Sequence, residues 1–338
     1  MAFSADPALV ARFTAALERL WPMEDRAGAG PLGLAVSGGP DSLALLILAA
    51  EAMPGEIAVA SVDHGLRAEA ADEVALVGRV CAAMGIPFTP ITVKVSGGNL
   101  QAKAREARYA AFSTWVREEG LGALATAHHA DDQAETLLMR LARGSGLSGL
   151  AGVRAAGPFD PGDGGETFPL LRPLLDWRKA ELEQVVAASG VAPARDPSNE
   201  QTRFDRVRVR QHLGEHDWLD AEALATSAEH LAEAWRAIEW YAQIDWEEMV
   251  EREPEGLGYR YAANVPRVIQ IETVRRIVSE LGGMVSRAEA GRAADRLWRG
   301  ENASLGGVLG VPTVEKIAKV GVEMRVWRFT PEPPRRMH

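Results

Sequence analysis

The chain has 338 residues, 47% of them apolar and 25% charged, and carries a formal net charge of −10. That length predicts a large domain with one or two smaller ones; the composition excludes a disordered chain, and no apolar run reaches the ~20 residues of a membrane-spanning helix. The single cysteine, Cys81, excludes an internal disulfide and a thiolate-rich metal cluster, and fits a core-packing thiol in a reducing cytosol.

Residues 1–20 mix Asp6, Arg12 and Glu18 with small apolar residues, so a short amphipathic helix is expected there rather than a secretion signal, and the expected location is cytoplasmic. Short apolar runs then alternate with helical stretches. Strands are predicted at Leu32–Val36, Ile57–Val62, Phe88–Val93 and Ala123–Ala127, and helices at Ser42–Ala52, Ala68–Met84, Leu100–Glu119 and Asp131–Arg143. This alternation predicts an α/β fold with a parallel sheet and functional residues at the C-terminal ends of its strands.

The glycine-rich segment Arg143–Gly152 reads as a mobile loop, Pro158–Gly165 as a turn between short strands, and a helix is predicted from an Asp176 N-cap to Gly190. A domain boundary is expected near 213–217, giving a catalytic domain over 1–214 and a helical and mixed region over 215–338. In the latter, Trp218–Glu251 shows helical periodicity, followed by helices at Thr273–Leu281 and Ser286–Trp298 and strands near Val314–Lys316 and Met324–Phe329. Charge divides there too. Residues 215–255 hold thirteen acids and two arginines, whereas 256–338 hold fourteen basic and eight acidic residues. The acidic stretch reads as a solvated helix face, and the basic tail as the region able to meet phosphates.

Chemistry concentrates in Ser37-Gly38-Gly39-Pro40-Asp41-Ser42, between a buried strand and an apolar helix. Two glycines let backbone N–H groups approach an anion, the helix N-terminus adds a favourable dipole, and Ser37 and Ser42 supply hydroxyls, so the loop is a phosphate cup. No lysine follows it, which excludes the Walker loop. A carboxylate beside a phosphate repels it unless a cation intervenes, so Asp41 is expected to face a magnesium ion. The bland alternative is a serine–glycine turn with Asp41 as a helix cap.

Three further clusters follow. Ser61-Val62-Asp63-His64-Gly65-Leu66-Arg67 ends the second strand. Arg105 and Arg108, three apart on a helix, could clamp phosphates or simply lie on a salt-bridged surface. The block Ala127-His128-His129-Ala130-Asp131-Asp132-Gln133-Ala134-Glu135 runs from a strand end into a helix. Its neighbouring side chains project apart, which disfavours a four-ligand metal site, while Asp132 and Glu135 share a face suited to gripping an ammonium group.

The first loop resembles the SGGxDS signature of the N-type ATP pyrophosphatases, the PP-loop enzymes, which cleave ATP between its α and β phosphates. The later blocks, with Arg143-Gly144-Ser145-Gly146, Arg172-Pro173-Leu174-Leu175, Asp196-Pro197-Ser198-Asn199 and the arginines at 206, 208 and 210, are similar in order to tRNA(Ile)-lysidine synthases. In Arg195-Asp196, arginine stands where an acid is common, and Val207 stands where asparagine is frequent.

The resemblance implies that Ser37 to Ser42, Val62, His64, Arg105 and Arg108 bind ATP, with Asp41 holding Mg2+. It assigns Asp132 and Glu135 to free lysine, and Asp41, Arg105, Asp132 and Glu135 to catalysis. Arg206, Arg208 and Arg210, read as an extended segment facing one way, are expected with Arg143 to meet the tRNA backbone. The implied reaction adenylates the C2 oxygen of the wobble cytidine of a CAU-anticodon tRNA(Ile), after which lysine displaces AMP. Alternatives are another PP-loop enzyme acting on a small molecule, a tRNA 2-thiolation enzyme, which would need paired thiols, and a non-catalytic tRNA-binding module.

Overall fold

The computed structural model describes residues 4–65, 69–94, 100–159, 167–194, 205–216, 218–253, 257–316, 321 and 323–332. Asp196–Asn199, Leu66 and Arg67 lie outside them. The chain divides into two compact units, Met1–Ala232 and Glu233–His338.

The first unit runs α1 (Pro7–Leu20), α2 (Met23–Arg26), β1 (Leu32–Ala35), α3 (Pro40–Ala52), β2 (Ile57–Asp63), α4 (Glu69–Met84), β3 (Phe88–Thr92), α5 (Leu100–Glu118), β4 (Ala123–Ala125), α6 (Ala130–Ala142), α7 (Leu147–Leu150), β5 (Ala156–Phe159), β6 (Phe168–Leu171), α8 (Lys179–Ser189), α9 (Asp205–Glu215) and the start of α10 (Ala221–Met249). Six strands form one sheet in the order β3-β2-β1-β4-β6-β5, parallel throughout except for β5, which pairs antiparallel with β6. The order reverses between β1 and β4, and a doubly wound sheet opens its ligand crevice at the carboxyl ends of the strands flanking that point.

Two cores hold the sheet. Helix α3 is apolar on all sides, with Leu43 to Ala49 buried, because it packs against the sheet and is covered by α1 and α8. Truncating one of its leucines is expected to cost about 2–5 kcal/mol. On the opposite face Phe112, Trp115 and Val116 of α5 pack on Leu124, Phe168 and Leu170. Cys81 lies in the α3 core, and burial pushes its thiol up to about 12.

Three local expectations are corrected. Helix α8 is capped at Arg178, whose N–H donates to Glu181 at 2.8 Å, rather than at Asp176; it ends at Gly190 as expected. The loop after α6 contains the helical turn α7. Residues 205–215 form helix α9, not an extended segment. The alternation Arg-Val-Arg-Val-Arg suits a strand, but the helix lets Arg206 and Arg210, four apart, reach one buried acid while Val207 is buried.

The second unit contains the rest of α10, then β7 (Val250–Arg252), β8 (Tyr259–Ala262), α11 (Arg267–Glu280), α12 (Arg287–Trp298), β9 (Ala303–Leu305), β10 (Val308–Lys316) and β11 (Glu323–Pro331). The strands make an antiparallel sheet in the order β7-β8-β11-β10-β9. Its core joins Tyr261, Trp327 and Phe329 to Val274, Ile277 and Leu297 of the two helices. Buried Asp245 accepts hydrogen bonds from Tyr261 at 2.8 Å and Thr273 at 2.9 Å. Much of the basic charge here is neutralised. Arg260, Arg267, Arg275, Arg287, Arg296, Arg299 and Arg328 all form ion pairs with acids of the same unit.

Candidate active site

The phosphate loop joins β1 to α3 at the switch point. Gly38 has φ +88°, where a side chain is strained, and its carbonyl accepts a hydrogen bond from Ala194 N–H at 2.9 Å. Ser37 N–H donates to the Ser42 hydroxyl at 3.1 Å, that hydroxyl reaches the Gly39 carbonyl at 3.0 Å, and the two serine hydroxyls lie 3.2 Å apart. Pro40 opens α3, where its missing N–H costs nothing, so the first turn directs its remaining amides outward at the loop.

Strand β4 delivers the second cluster beside it. His128 and His129 project apart, as expected. His128 Nδ1 lies 3.0 Å from the Thr126 hydroxyl; burial pushes its pKa down to about 4, an effect reinforced by Arg172, Arg105 and Arg206, so the ring is neutral. His129 is buried among carboxylates: Nε2 lies 3.5 Å from both Asp41 and Asp132, and Nδ1 lies 3.6 Å from Asp131. Burial alone would lower its pKa, but the adjacent carboxylates of Asp131, Asp41 and Asp132 outweigh that and hold it up at about 10. The imidazolium therefore joins the phosphate loop to α6, a role the sequence did not reveal.

Asp131 is an anchor rather than a ligand. It accepts from Lys179 N–H at 2.8 Å and Arg178 at 3.4 Å, fastening α6 to α8. Among the described residues Asp41 Oδ1 is buried without a hydrogen-bond partner. An anionic oxygen left so is costly and suits a cation. The residues present therefore fit a magnesium ion at Asp41.

Asp132 and Glu135 do share a face, and α9 covers it. Arg206 donates to Glu135 at 2.6 Å and to Asp132 at 2.8 Å, and Arg210 donates to the other Glu135 oxygen at 2.6 Å. Glu135 is fully buried. Arg206 and Arg210 thus point inward, contrary to the expectation that all three arginines face one way; Arg208 instead pairs with Asp205, as does Arg143 at 3.1 Å.

The loop 143–152 is gripped from α6. Gln133 donates to the Val153 carbonyl and accepts from its N–H, both at 2.7 Å, while Arg140 donates to the carbonyls of Gly149 and Gly152. A side chain at Gly152 would meet the Gln133 amide oxygen at 2.5 Å. On the other side of the sheet Arg105 lies 4.8 Å and Arg108 5.7 Å from the Tyr109 ring centre, and burial lowers the pKa of Arg108. Val62 and His64, at and beyond the end of β2, are half-buried.

Comparison with known proteins agrees with this architecture. The PP-loop domain family model matches residues 11–217. A tRNA(Ile)-lysidine synthase of Novosphingobium aromaticivorans is 45% identical over 91% of this chain and 90% of its own length, and one of Zymomonas mobilis is 38% identical over 91% and 90%. One of Ruegeria pomeroyi is 39% identical over 82% and 68%. Among solved structures, the U34-tRNA thiolase NcsA of Methanococcus maripaludis shares the fold, with a TM-score of 0.53 at 16% identity over 67% of this chain and 80% of that one. A PP-loop at the switch point and relatives matched over nine-tenths of both lengths lead to one conclusion: the chain belongs to the tRNA(Ile)-lysidine synthase family.

Proposed function

We propose that this chain uses ATP and free lysine to convert the wobble cytidine of a CAU-anticodon tRNA(Ile) to lysidine. The observation that carries the reading is the pairing, across the β1–β4 switch point, of a phosphate loop with a two-carboxylate site made of buried Glu135 and half-buried Asp132. The first suits the triphosphate and the second suits an ammonium group.

In the first step the cytidine C2 oxygen attacks the α-phosphorus of ATP and pyrophosphate leaves. In the second the lysine amine attacks C2 and AMP departs, the activated oxygen now being a good leaving group. The loop amides, with Arg105 and Arg108 as the phosphate clamp, hold ATP in line. A magnesium ion held by Asp41 would offset the phosphate charge. Asp132 and Glu135 receive the lysine ammonium, which must shed a proton before attack. His129, already charged, holds the three surrounding aspartates together rather than acting as base.

The exposure of Arg143 and Arg208, each paired with Asp205, supports the reading that these two meet the tRNA backbone. Among the described residues no helix is long and apolar enough to cross a membrane; with the reducing environment that a lone thiol suits, this supports a cytoplasmic location. A thiolation enzyme is disfavoured because Cys81 is the chain's single cysteine, buried and with its pKa pushed up to about 12.

The test is incubation with ATP, lysine and total tRNA, digestion to nucleosides, and mass spectrometry. A lysine-bearing cytidine, formed only when all three are present, is the expected product. Its absence, or turnover of a free metabolite without tRNA, would overturn the assignment.

A further inference from the structure

A hollow of about 470 Å³ opens on the α5 side of the sheet, lined by Arg105, Glu106, Tyr109, Phe159, Leu170 and Arg172. Leu170 lies on β6 beside Leu124 of β4, and β4 leads directly into the histidine–aspartate cluster. The hollow therefore lies beside the catalytic edge, on the flank away from α3. Arg105 and Arg172 are both near enough for their charges to act on His128.

The walls have a specific character. Tyr109 and Phe159 lie 5.2 Å apart at 34°, and Phe159 lies 5.0 Å from Phe168, giving an aromatic platform braced from behind. Arg172 is 9% exposed, its Nη1 fixed at 2.6 Å to the Arg154 carbonyl, and among the described residues its Nε–H has no acceptor. A buried guanidinium N–H left so calls for an acceptor from a ligand. The rim adds a carboxylate, Glu106.

Resting on the assignment of the chain to tRNA modification, we propose that this hollow receives the target cytosine, unstacked from the anticodon and laid on Tyr109 and Phe159. Single-stranded RNA bases are held by aromatic stacking and read on their hydrogen-bonding edges. Cytosine offers adjacent acceptors at N3 and O2 for the Arg172 guanidinium, Arg105 being left to the ATP phosphates, and an amino group at N4 for a carboxylate. Uracil carries an oxygen at position 4, which Glu106 would repel. Volume and chemistry agree, since small-molecule sites of this size are apolar with few polar groups.

The test compares tRNA(Ile) transcripts carrying cytidine, uridine or an abasic residue at the wobble position. Wild-type protein is expected to bind the cytidine form roughly tenfold or more tighter than the abasic form. In Phe159→Ala that preference should fall below about twofold, with ATP affinity kept; Glu106→Gln should narrow the preference for cytidine over uridine. As a measurement independent of any variant, 5-iodocytidine at the wobble position, irradiated in complex with the wild-type protein, should attach to Tyr109 or Phe159. An undiminished preference in Phe159→Ala, or attachment mapping elsewhere, would overturn the pocket assignment even where wild-type protein makes lysidine. Failure of wild-type protein to make lysidine would instead remove the enzyme assignment and this proposal with it.

Discussion

Arg206 and Glu135 form a short ion pair, Nε donating to Oε2 at 2.6 Å, inside the carboxylate pair at the start of α6. A guanidinium thus occupies the place proposed for the lysine ammonium, and an incoming amine must share or displace it. Glu135→Ala would also strip Arg210 of its acceptor and loosen α9, so Glu135→Gln is the cleaner probe. It is expected to raise the KM for lysine by roughly 10–100-fold through loss of a charge-assisted bond, while ATP affinity stays within twofold. Steady-state kinetics with lysine varied at saturating ATP and tRNA checks this; an unchanged KM would remove Glu135 from the lysine site.

Asp41 has one oxygen facing His129 and one without a partner among the described residues. Asp41→Ala should reduce tRNA-dependent pyrophosphate release at least ~100-fold, the scale of losing a metal-assisted charge offset. Retention of the wild-type rate at saturating magnesium would sink the metal assignment.

The two loop glycines should respond differently. An alanine at Gly38 would sit at φ +88° with its Cβ 3.3 Å from the Glu73 carbonyl oxygen, whereas at Gly39 the nearest atom is the Ser37 hydroxyl at 3.8 Å. Gly38→Ala is expected to cost about 1–2 kcal/mol of stability and Gly39→Ala about 0.5 or less. Urea denaturation without nucleotide separates them, and equal losses would contradict the loop geometry.

Asp245, in the second unit, gives a pH signature. Burial raises its pKa although the Tyr261 and Thr273 hydroxyls oppose the shift. The folded state then holds the proton more tightly than the unfolded one, so this contribution to stability is complete below about pH 4 and lost as pH rises through the folded value. Asp245→Asn cannot ionise, and its urea midpoint relative to wild type should rise between pH 4 and pH 8. A difference that stays flat over that range would mean Asp245 titrates normally.

The sheet was legible because each strand–helix alternation carries its own period, and the loop because glycine, serine and aspartate stand at fixed spacing before a helix. What escaped had long-range causes. The Arg-Val-Arg-Val-Arg run satisfies strand periodicity locally, and only the distant carboxylate of Glu135 makes its helical form the better one. Val308–Pro312 contains a glycine and a proline that read as breakers, yet pairing with Phe329, Trp327 and their neighbours draws it into β10. The linking role of His129 depends on three acids, one of them, Asp41, 88 positions away in the chain. Arg172 entered only as the first residue of the Arg172-Pro173-Leu174-Leu175 block, and nothing local tells that the folded chain buries its Nε–H without an acceptor among the described residues.

The grip of Gln133 and Arg140 on residues 149–153 has a mechanical consequence. That segment and the helix bearing Asp132 and Glu135 travel as one piece, so it cannot swing over bound substrates by itself. A push on the segment becomes a tilt of the acids, and α9, attached through its arginines, is carried with them. In the proposed reaction, the acids that receive lysine are therefore not independent of this half-buried segment, and the two are positioned together.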